Sequence, residues 1–294
     1  MRRIVVALGG NAILRADQRG TFAEQLSNVR ESCRPIADLI ARGYQVVLTH
    51  GNGPQVGNIL LQNEHASPVV PPMPLDACGA QSQGLIGYMI QQAMDNELSA
   101  LGVHRPVVPV LTRVLVDPDD PAFGAPTKPI GPFYTEARAR RLERERGYRV
   151  REQGARGWRR IVPSPRPVAV CDTEAVRLLV EGGAVVIACG GGGIPVVRRP
   201  DGTLEGVEAV VDKDLASERL ASELGAEMLV MLTDVERVAL NFQKPNQREL
   251  QRLTVAEARV YLEQGQFGEG TMRPKVEAAA RFAAHGNGRV AVIA

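Results

Sequence analysis

Three short apolar segments of this chain each lead into a glycine-rich turn. The segments are residues 4–8, 45–49 and 184–189, and each is followed within two positions by the first of several glycines. Short apolar strands joined by helix-prone segments are typical of a doubly wound parallel sheet. Such sheets bind ligands at the carboxyl ends of their strands, where glycines let backbone N–H groups approach an anion. The pattern therefore predicts an α/β fold with an anionic ligand at that sheet edge.

One segment interrupts this alternation of strands and helices. Residues 117–167 are rich in proline and glycine at both ends and carry a charged helix at about 135–146 between them. Glutamates alternate with arginines along that helix, which favours a solvent-exposed helix face over an anion-binding surface. We therefore expect an inserted, protruding subdomain at 117–167 between two parts of the main fold, residues 1–116 and 168–294.

The same periodicity predicts further elements. We expect a single strand near 106–114 and another that begins at about 227, with a polar end reaching 240. A turn at 200–202 predicts a hairpin. The expected helices lie at 21–42, 76–101, 173–181 and 272–285.

Composition excludes several classes of function. The chain has 294 residues and a formal net charge of +2, with no basic tail and no span of 18 apolar residues. We therefore expect a cytoplasmic protein without nucleic-acid or membrane partners. Its four cysteines form no CxxC pair and its four histidines show no metal-ligand spacing, so the cysteines are interpreted as buried apolar residues.

Lysine is rare in this chain, since only four of the 35 basic residues are lysine: Lys128, Lys213, Lys244 and Lys275. A lysine ammonium is a compact charge on a flexible stem, suited to follow a moving phosphoryl group. An equally weighted alternative is that these lysines merely survived a drift toward arginine. Lys213 stands between two aspartates at a predicted helix start, where the helix dipole favours the aspartates and not the lysine. This position favours a role in phosphoryl transfer.

The order of several motifs resembles that of the carbamate kinases, a branch of the amino acid kinase superfamily. The resemblance spans residues 4–293, and the motifs that carry it are "VVALGGNAIL", "THGNGPQVGN", "PTKPIGPFYT", "VPSPRP", "ACGGGGIPV", "VVDKDLASERLA", "TDVERVALNFQKPNQ" and "GTMRPKVEAA". It implies a three-layer αβα sandwich with an open, mainly parallel central sheet, and a homodimer. It also implies reversible, direct in-line phosphoryl transfer between ATP and carbamate, run toward ATP in arginine catabolism. Mg²⁺ would be held mainly by the nucleotide phosphates, with no certain protein ligand.

The resemblance also assigns roles to residues. Most kinases of the superfamily place a lysine at the position of Ala7, and in carbamate kinases Lys128 of the protruding subdomain would replace it. Lys213 would contact the γ-phosphate, Asp214 would organise the catalytic groups, and Lys275 would bridge the β- and γ-phosphates. The carbamate and phosphoryl loops would comprise Gly9, Gly10, Asn11, Gly51, Asn52 and Gly53. The nucleotide would lie near Gly191, Gly192, Thr233, Asp234, Val235, Met272, Pro274, Lys275 and Val276.

The sequence departs from the family pattern at three places. Arg273 and Gln243 stand where glycine is usual, and an arginine before Pro274-Lys275 is expected either to crowd the nucleotide or to add a phosphate contact. The family continues past the "AVIA" strand, whereas this sequence stops at Ala294, so an exposed sheet edge is expected there. Two alternatives stay open: another kinase of the superfamily, or a non-catalytic sensor of nucleotide or carbamoyl phosphate.

Overall fold

The computed structural model describes residues 2–154, 156–268, 270–286 and 288–294. Its strands are β1 (Arg3–Leu8), β2 (Gln45–His50), β3 (Val107–Pro109), β4 (Arg113–Val116), β5 (Lys128–Tyr134), β6 (Arg149–Glu152), β7 (Trp158–Val162), β8 (Pro167–Val170), β9 (Val185–Ile187), β10 (Ile194–Arg198), β11 (Leu204–Gly206), β12 (Met228–Met231), β13 (Val238–Leu240), β14 (Arg248–Leu250) and β15 (Val290–Ile293). Its helices are α1 (Phe22–Ala41), α2 (Gly53–Ala66), α3 (Leu75–Ala100), α4 (Pro121–Gly124), α5 (Glu136–Arg146), α6 (Thr173–Glu181), α7 (Lys213–Glu223), α8 (Val255–Glu263) and α9 (Met272–Ala284).

A parallel central sheet confirms the predicted fold class. Its strand order is β15-β12-β1-β2-β9-β3, and every pair in it is parallel. Strand β1 is flanked by β2 on one side and β12 on the other, so the winding of the chain reverses there. A ligand crevice is expected outside the carboxyl end of a strand at such a reversal. The first glycine turn follows β1 directly and lies at this point.

Alternating residues of the central strands build two apolar layers. In β1, Ile4 and Leu8 pack with α1 and α3, whereas Val5 and Ala7 pack with α6, α7 and α9 on the opposite face. Burying one Leu, Ile or Val side chain contributes about 1.5–3 kcal/mol. A one-residue slip would send each side chain to the other layer, so the alternation fixes the strand register. The result is the three-layer αβα arrangement that the resemblance implied.

Residues 117–167, the predicted protruding subdomain, contain a sheet that the sequence analysis missed. Strands β5, β7 and β6 form a three-stranded antiparallel sheet beside α5, which is the predicted charged helix. The strands escaped notice because prolines interrupt β5 and arginines occupy β6 and β7. The subdomain sheet contacts α2, where the hydroxyl of Tyr134 donates to the buried carboxylate of Glu64 at 2.7 Å.

The expected single strand near 106–114 is wrong. It is two strands, since β3 joins the central sheet and β4 joins a second sheet of order β11-β10-β4-β8. The chain leaves the central sheet at Thr112. The side-chain amide of Gln83, in α3, makes two hydrogen bonds to the Thr112 backbone. The Gln83 amide nitrogen donates to the Thr112 carbonyl at 3.1 Å, and the Thr112 N–H donates to the Gln83 carbonyl oxygen at 2.9 Å. The side chain takes the place of a sheet partner only for the Thr112 N–H, since the Thr112 carbonyl also accepts the backbone N–H of Ile194 at 2.8 Å.

The prediction of one strand from 227 to 240 is also wrong, because the strand there is much shorter. Strand β12 ends at Met231, and β13 belongs to a separate hairpin with β14. Helix α8 was not predicted, although its start carries a visible signal: Thr254 and Glu257 form a capping box.

The predicted hairpin between β10 and β11 is confirmed. Strand β15 is an edge of the central sheet. None of the helices found in the described ranges is long and apolar enough to span a membrane.

Candidate active site

A cleft of about 600 Å³ lies at the carboxyl ends of the central strands. The first two glycine turns, the start of β5, the start of α7 and the start of α9 line it. The sequence-predicted residues that line this cleft are Gly9, Gly10, Gly51, Asn52, Gly53, Lys128, Gly191, Lys213, Asp214, Thr233, Asp234, Val235, Met272 and Lys275. Segments that are distant in sequence therefore meet in one cavity.

Four predicted residues do not line the cleft: Asn11, Gly192, Pro274 and Val276. Gly192 packs against the chain just before α7, since a Cβ atom there would overlap the carbonyl of Val211. Val276 is buried in the apolar cluster beneath α8 and α9. The geometry gives Gly192 and Val276 packing roles, and the proposed ligand contacts of all four residues stay predictions.

The second glycine turn leads into α2 with uncapped amide groups. Asn52 precedes the helix but makes no side-chain cap bond, because its amide nitrogen donates to the Ser82 hydroxyl at 2.8 Å. Gly191 lies directly behind this side chain at φ 66°, where a Cβ atom would collide with the Asn52 amide. The first N–H groups of α2 point toward the cleft end of the helix, which suits an anion.

Asp214 holds two lysines at the floor of the cleft. Lys213 Nζ lies 2.9 Å from Asp214 Oδ1, and Lys275 Nζ lies 3.0 Å from Asp214 Oδ2. Burial opposes ionisation of this carboxyl, but the two ammonium groups outweigh it and hold the pKa of Asp214 below its usual value. Burial also lowers the pKa of Lys213, against the attraction of Asp214. The carboxylate thus fixes two cations whose remaining N–H groups can serve a phosphate.

A hydroxyl network fixes the start of α7 to the central sheet. The Ser217 hydroxyl donates to the Lys213 carbonyl at 2.6 Å and lies 2.6 Å from the Thr49 hydroxyl of β2. The neighbouring His50 is fully buried, which lowers its pKa to about 4 despite a 2.8 Å hydrogen bond between Nδ1 and the Gly51 carbonyl. Its imidazole is therefore neutral at physiological pH.

Lys128 reaches the same cleft from the subdomain. Its Nζ lies 3.1 Å from Oδ2 of Asp212, the residue that caps α7. The other oxygen of this carboxylate accepts the backbone N–H of Asp214 at 2.9 Å. One side chain, Asp212, therefore connects the subdomain lysine to the helix that carries Lys213 and Asp214. The sequence analysis placed Asp212 at the helix start, where the dipole favours an aspartate, but assigned it no contact with Lys128.

The two unusual residues, Arg273 and Gln243, do not line the cleft. The Arg273 guanidinium donates to the Leu262 carbonyl at 3.0 Å, near the end of α8, where a cation is favourable. Arg273 does not line the cleft, so neither the expected crowding nor the expected phosphate contact is seen. Gln243 has a φ of 61° in an exposed turn, a conformation that explains why glycine is usual there.

Sequence reasoning missed several residues of the cleft wall. They are Arg159, Arg237, Phe242, Gln266 and Phe267. The strand that carries Arg159 was not predicted, so no alternation was available to show which of its arginines faces inward. The other four lie in loops whose positions depend on tertiary packing.

Comparison with known proteins gives consistent relationships. The profile of the amino acid kinase family matches residues 2–294. A carbamate kinase of Pyrococcus furiosus is 51% identical over 293 residues, covering 99% of this chain and 93% of that protein. A carbamate kinase of Pyrococcus horikoshii is 50% identical over 294 residues, covering 99% and 93%. The solved structure of carbamate kinase from Giardia lamblia bound to AMP-PNP matches with a TM-score of 0.93 at 44% identity, covering 99% of this chain and 92% of that chain.

Proposed function

Because the chain belongs to the carbamate kinases of the amino acid kinase family, we propose that it transfers a phosphoryl group reversibly between ATP and carbamate. The relatives named above carry that activity in their names, and one of them was solved with an ATP analogue. The observation that carries the proposal is the convergence of Lys128, Lys213 and Lys275 in one cleft between two glycine turns. Phosphoryl transfer requires such positioning and charge neutralisation rather than covalent chemistry by the protein.

The proposed step is a direct in-line displacement. Toward ATP, a β-phosphate oxygen of ADP forms a new bond to the phosphorus of carbamoyl phosphate. The bond from that phosphorus to the carbamate oxygen breaks, and its electron pair stays on carbamate as a carboxylate. No histidine or cysteine is found among the described residues that line the cleft, and the proposed step uses no protein nucleophile.

Each lysine has a separate proposed task. Lys213 contacts the transferred γ-phosphoryl group, and Lys275 bridges the β- and γ-phosphates. Asp214 supports both tasks because it contacts both ammonium groups. Lys128 approaches the transferred group from the carbamate side, and movement of the subdomain would complete the site. The nucleotide base lies near Thr233–Val235 and Met272.

Mg²⁺ is proposed to enter with the nucleotide. Within the described ranges no group of three His, Cys, Asp or Glu side chains is placed to hold a metal ion. Asp214 is already bound by two lysines, which makes it a poor metal ligand. The described residues therefore do not fit a resident metal site, and the nucleotide phosphates would be the principal ligands.

We also propose a cytoplasmic homodimer that runs toward ATP in arginine catabolism, as the family resemblance implies. Phe22 and Tyr88 stack at 6.3 Å between ring centroids and are both exposed, with Leu85 exposed on the same helix as Tyr88. Exposed apolar groups of this kind suit a protein–protein contact. Sedimentation equilibrium would show a mass of two chains.

The direct test measures ATP formed from ADP, carbamoyl phosphate and Mg²⁺ in a coupled assay. We expect steady turnover by the wild-type protein, with loss of turnover when Mg²⁺ is removed by a chelator. Nucleotide binding is measured in parallel by calorimetry. A folded protein that binds ADP but forms no ATP would contradict the proposal and favour a nucleotide sensor.

A further inference from the structure

The cations of the cleft differ in whether a carboxylate accompanies them. Lys128, Lys213 and Lys275 are each paired with an aspartate, and Arg237 is paired with Glu249 at 3.3 Å. Arg159 also lines the cleft, and within the described residues no carboxylate lies within ion-pair distance of it. Arg159 is therefore the cleft cation whose charge the described residues leave uncompensated.

The backbone and an aromatic ring hold the Arg159 guanidinium in place. Its Nε donates to the Gly131 carbonyl at 3.0 Å, and its central carbon lies 5.2 Å from the centre of the Phe133 ring. These contacts leave the terminal amino groups without a partner in the described parts of the chain. A guanidinium fixed through Nε presents its terminal N–H groups as a fork, which matches the two oxygens of a carboxylate.

Arg159 belongs to the acceptor side of the cleft and not to the nucleotide side. Gly131, which anchors it, packs on α2: a Cβ atom on Gly57 would lie 3.3 Å from the Gly131 Cα. Gly57 is four residues into the helix that begins at the second glycine turn. Gly131, which holds Arg159, therefore packs about one turn from the N-terminus of α2. That N-terminus follows the second glycine turn, where the resemblance places carbamate.

The surroundings of Arg159 favour an anionic ligand. Partial burial and the neighbouring Arg156 lower its pKa, although an arginine remains charged at neutral pH. A half-buried cation with a second cation nearby is poorly stabilised until an anion arrives. Arg156 also lies over Phe133, at 5.1 Å, but it is exposed and does not line the cleft.

We propose that Arg159 binds the carbamoyl end of the substrate: the carboxylate of carbamate, and the carbonyl oxygen of carbamoyl phosphate. This assignment rests on the proposed function and extends it to the residue that recognises the acceptor. During transfer to ADP the electron pair of the broken bond becomes carboxylate charge on carbamate. Arg159 faces that developing charge, while the three lysines serve the phosphoryl group and the nucleotide.

The test compares Arg159→Gln with Arg159→Lys and with the matched control Arg156→Gln. We expect Arg159→Gln to raise the KM for carbamoyl phosphate about 10- to 100-fold, as for the loss of a charged hydrogen-bond donor. The KM for ADP should stay within about twofold of wild type. Arg159→Lys should recover part of the loss, since it restores charge without the fork. Arg156→Gln, which removes a nearby cation that does not line the cleft, should change this KM by less than about threefold.

Inorganic phosphate distinguishes the two ends of the substrate. Its inhibition constant against carbamoyl phosphate should be unchanged in Arg159→Gln, because phosphate lacks the carbamoyl group. Three results in Arg159→Gln would each overturn the assignment of Arg159 to the carbamoyl end: a larger inhibition constant for phosphate, a raised KM for ADP, or an unchanged KM for carbamoyl phosphate.

Direct binding separates this assignment from the proposed function. Calorimetry with carbamoyl phosphate, in the absence of ADP, reports the contact without turnover. If wild-type protein forms no ATP yet binds carbamoyl phosphate through Arg159, the catalytic proposal fails and the binding assignment stands. Circular dichroism of each variant checks the fold, and Arg159→Lys supplies the comparison if Arg159→Gln does not fold.

Discussion

The two sides of the cleft hold their cations in different ways. On the floor, Lys213 and Lys275 are 15% and 10% exposed and share one buried carboxylate. On the subdomain side, Lys128 is 30% exposed and has one carboxylate partner, while Arg159 has none among the described residues. The floor is anchored to the central sheet through Ser217 and Thr49. The comparison indicates a fixed half of the site, the floor, and a subdomain half whose cations have fewer carboxylate partners among the described residues.

The largest effect should follow from removing a cation of the fixed half. Lys213→Ala should lower kcat by about 10²–10⁴-fold, because a preorganised charge at the transferred group is lost. Nucleotide affinity should fall much less. Lys244→Ala is the matched control, since Lys244 is exposed and does not line the cleft. Unchanged turnover in Lys213→Ala would remove the proposed role of the floor.

The connection between the halves is tested at Asp212. Asp212→Asn keeps a good helix cap for α7 but removes the charge that holds Lys128. We expect kcat to fall about fivefold, as for a partly exposed ion pair, with little change in stability. Asp212→Ala should lose the cap as well and reduce the free energy of unfolding by about 1 kcal/mol. Kinetics and urea unfolding measure both effects, and equal activity of Asp212→Asn and wild type would show that the halves are not coupled there.

The free energy of unfolding should also depend on pH, because His50 is buried at the end of β2, beside the fixed half. Burial lowers the pKa of His50 from 6.5 to about 4 in the folded protein. The unfolded chain therefore takes up a proton as the pH falls below the ordinary value, while the folded protein does not. The free energy of unfolding should fall between these two pKa values by up to about 3 kcal/mol.

Urea unfolding of wild type and His50→Gln between pH 4 and pH 7 measures this dependence. The variant should lose part of the slope, whereas the control His104→Gln, at an exposed histidine, should keep it. A slope that is identical in all three proteins would exclude His50 as its source.

The smallest effect is expected from thiol reagents, because no cysteine is found among the described residues of either side of the cleft. Burial raises the pKa of the Cys33 thiol to about 12, and burial raises that of Cys189 as well. Iodoacetamide at neutral pH should change kcat by less than about twofold, since the thiolate is the reactive form. Rapid inactivation, with the modified cysteine identified by mass spectrometry, would contradict this reading of the cleft.

Much of the fold was predictable because its signals are local. The apolar runs predicted β1 and β2 nearly to the residue, and the capping residues and glycines bounded α1, α5 and α6. Predictions failed where a side chain distant in sequence bonds the backbone, as Gln83 does at Thr112. They also failed in the subdomain, where antiparallel partners rather than apolar residues stabilise β6 and β7.

The sequence by itself determined the family, the parallel α/β class and the kinds of residue that carry the proposed chemistry, because glycine turns, apolar periodicity and scarce lysines are visible along the chain. Only the tertiary structure decided which charges meet. Lys128 and Asp212 are 84 residues apart, and Lys275 and Asp214 are 61 apart. Their pairing depends on how the subdomain and two helices dock on the sheet. The inward direction of Arg159 and the outward direction of Arg273 likewise come from packing, since a side chain's environment is set by neighbours that are remote in sequence.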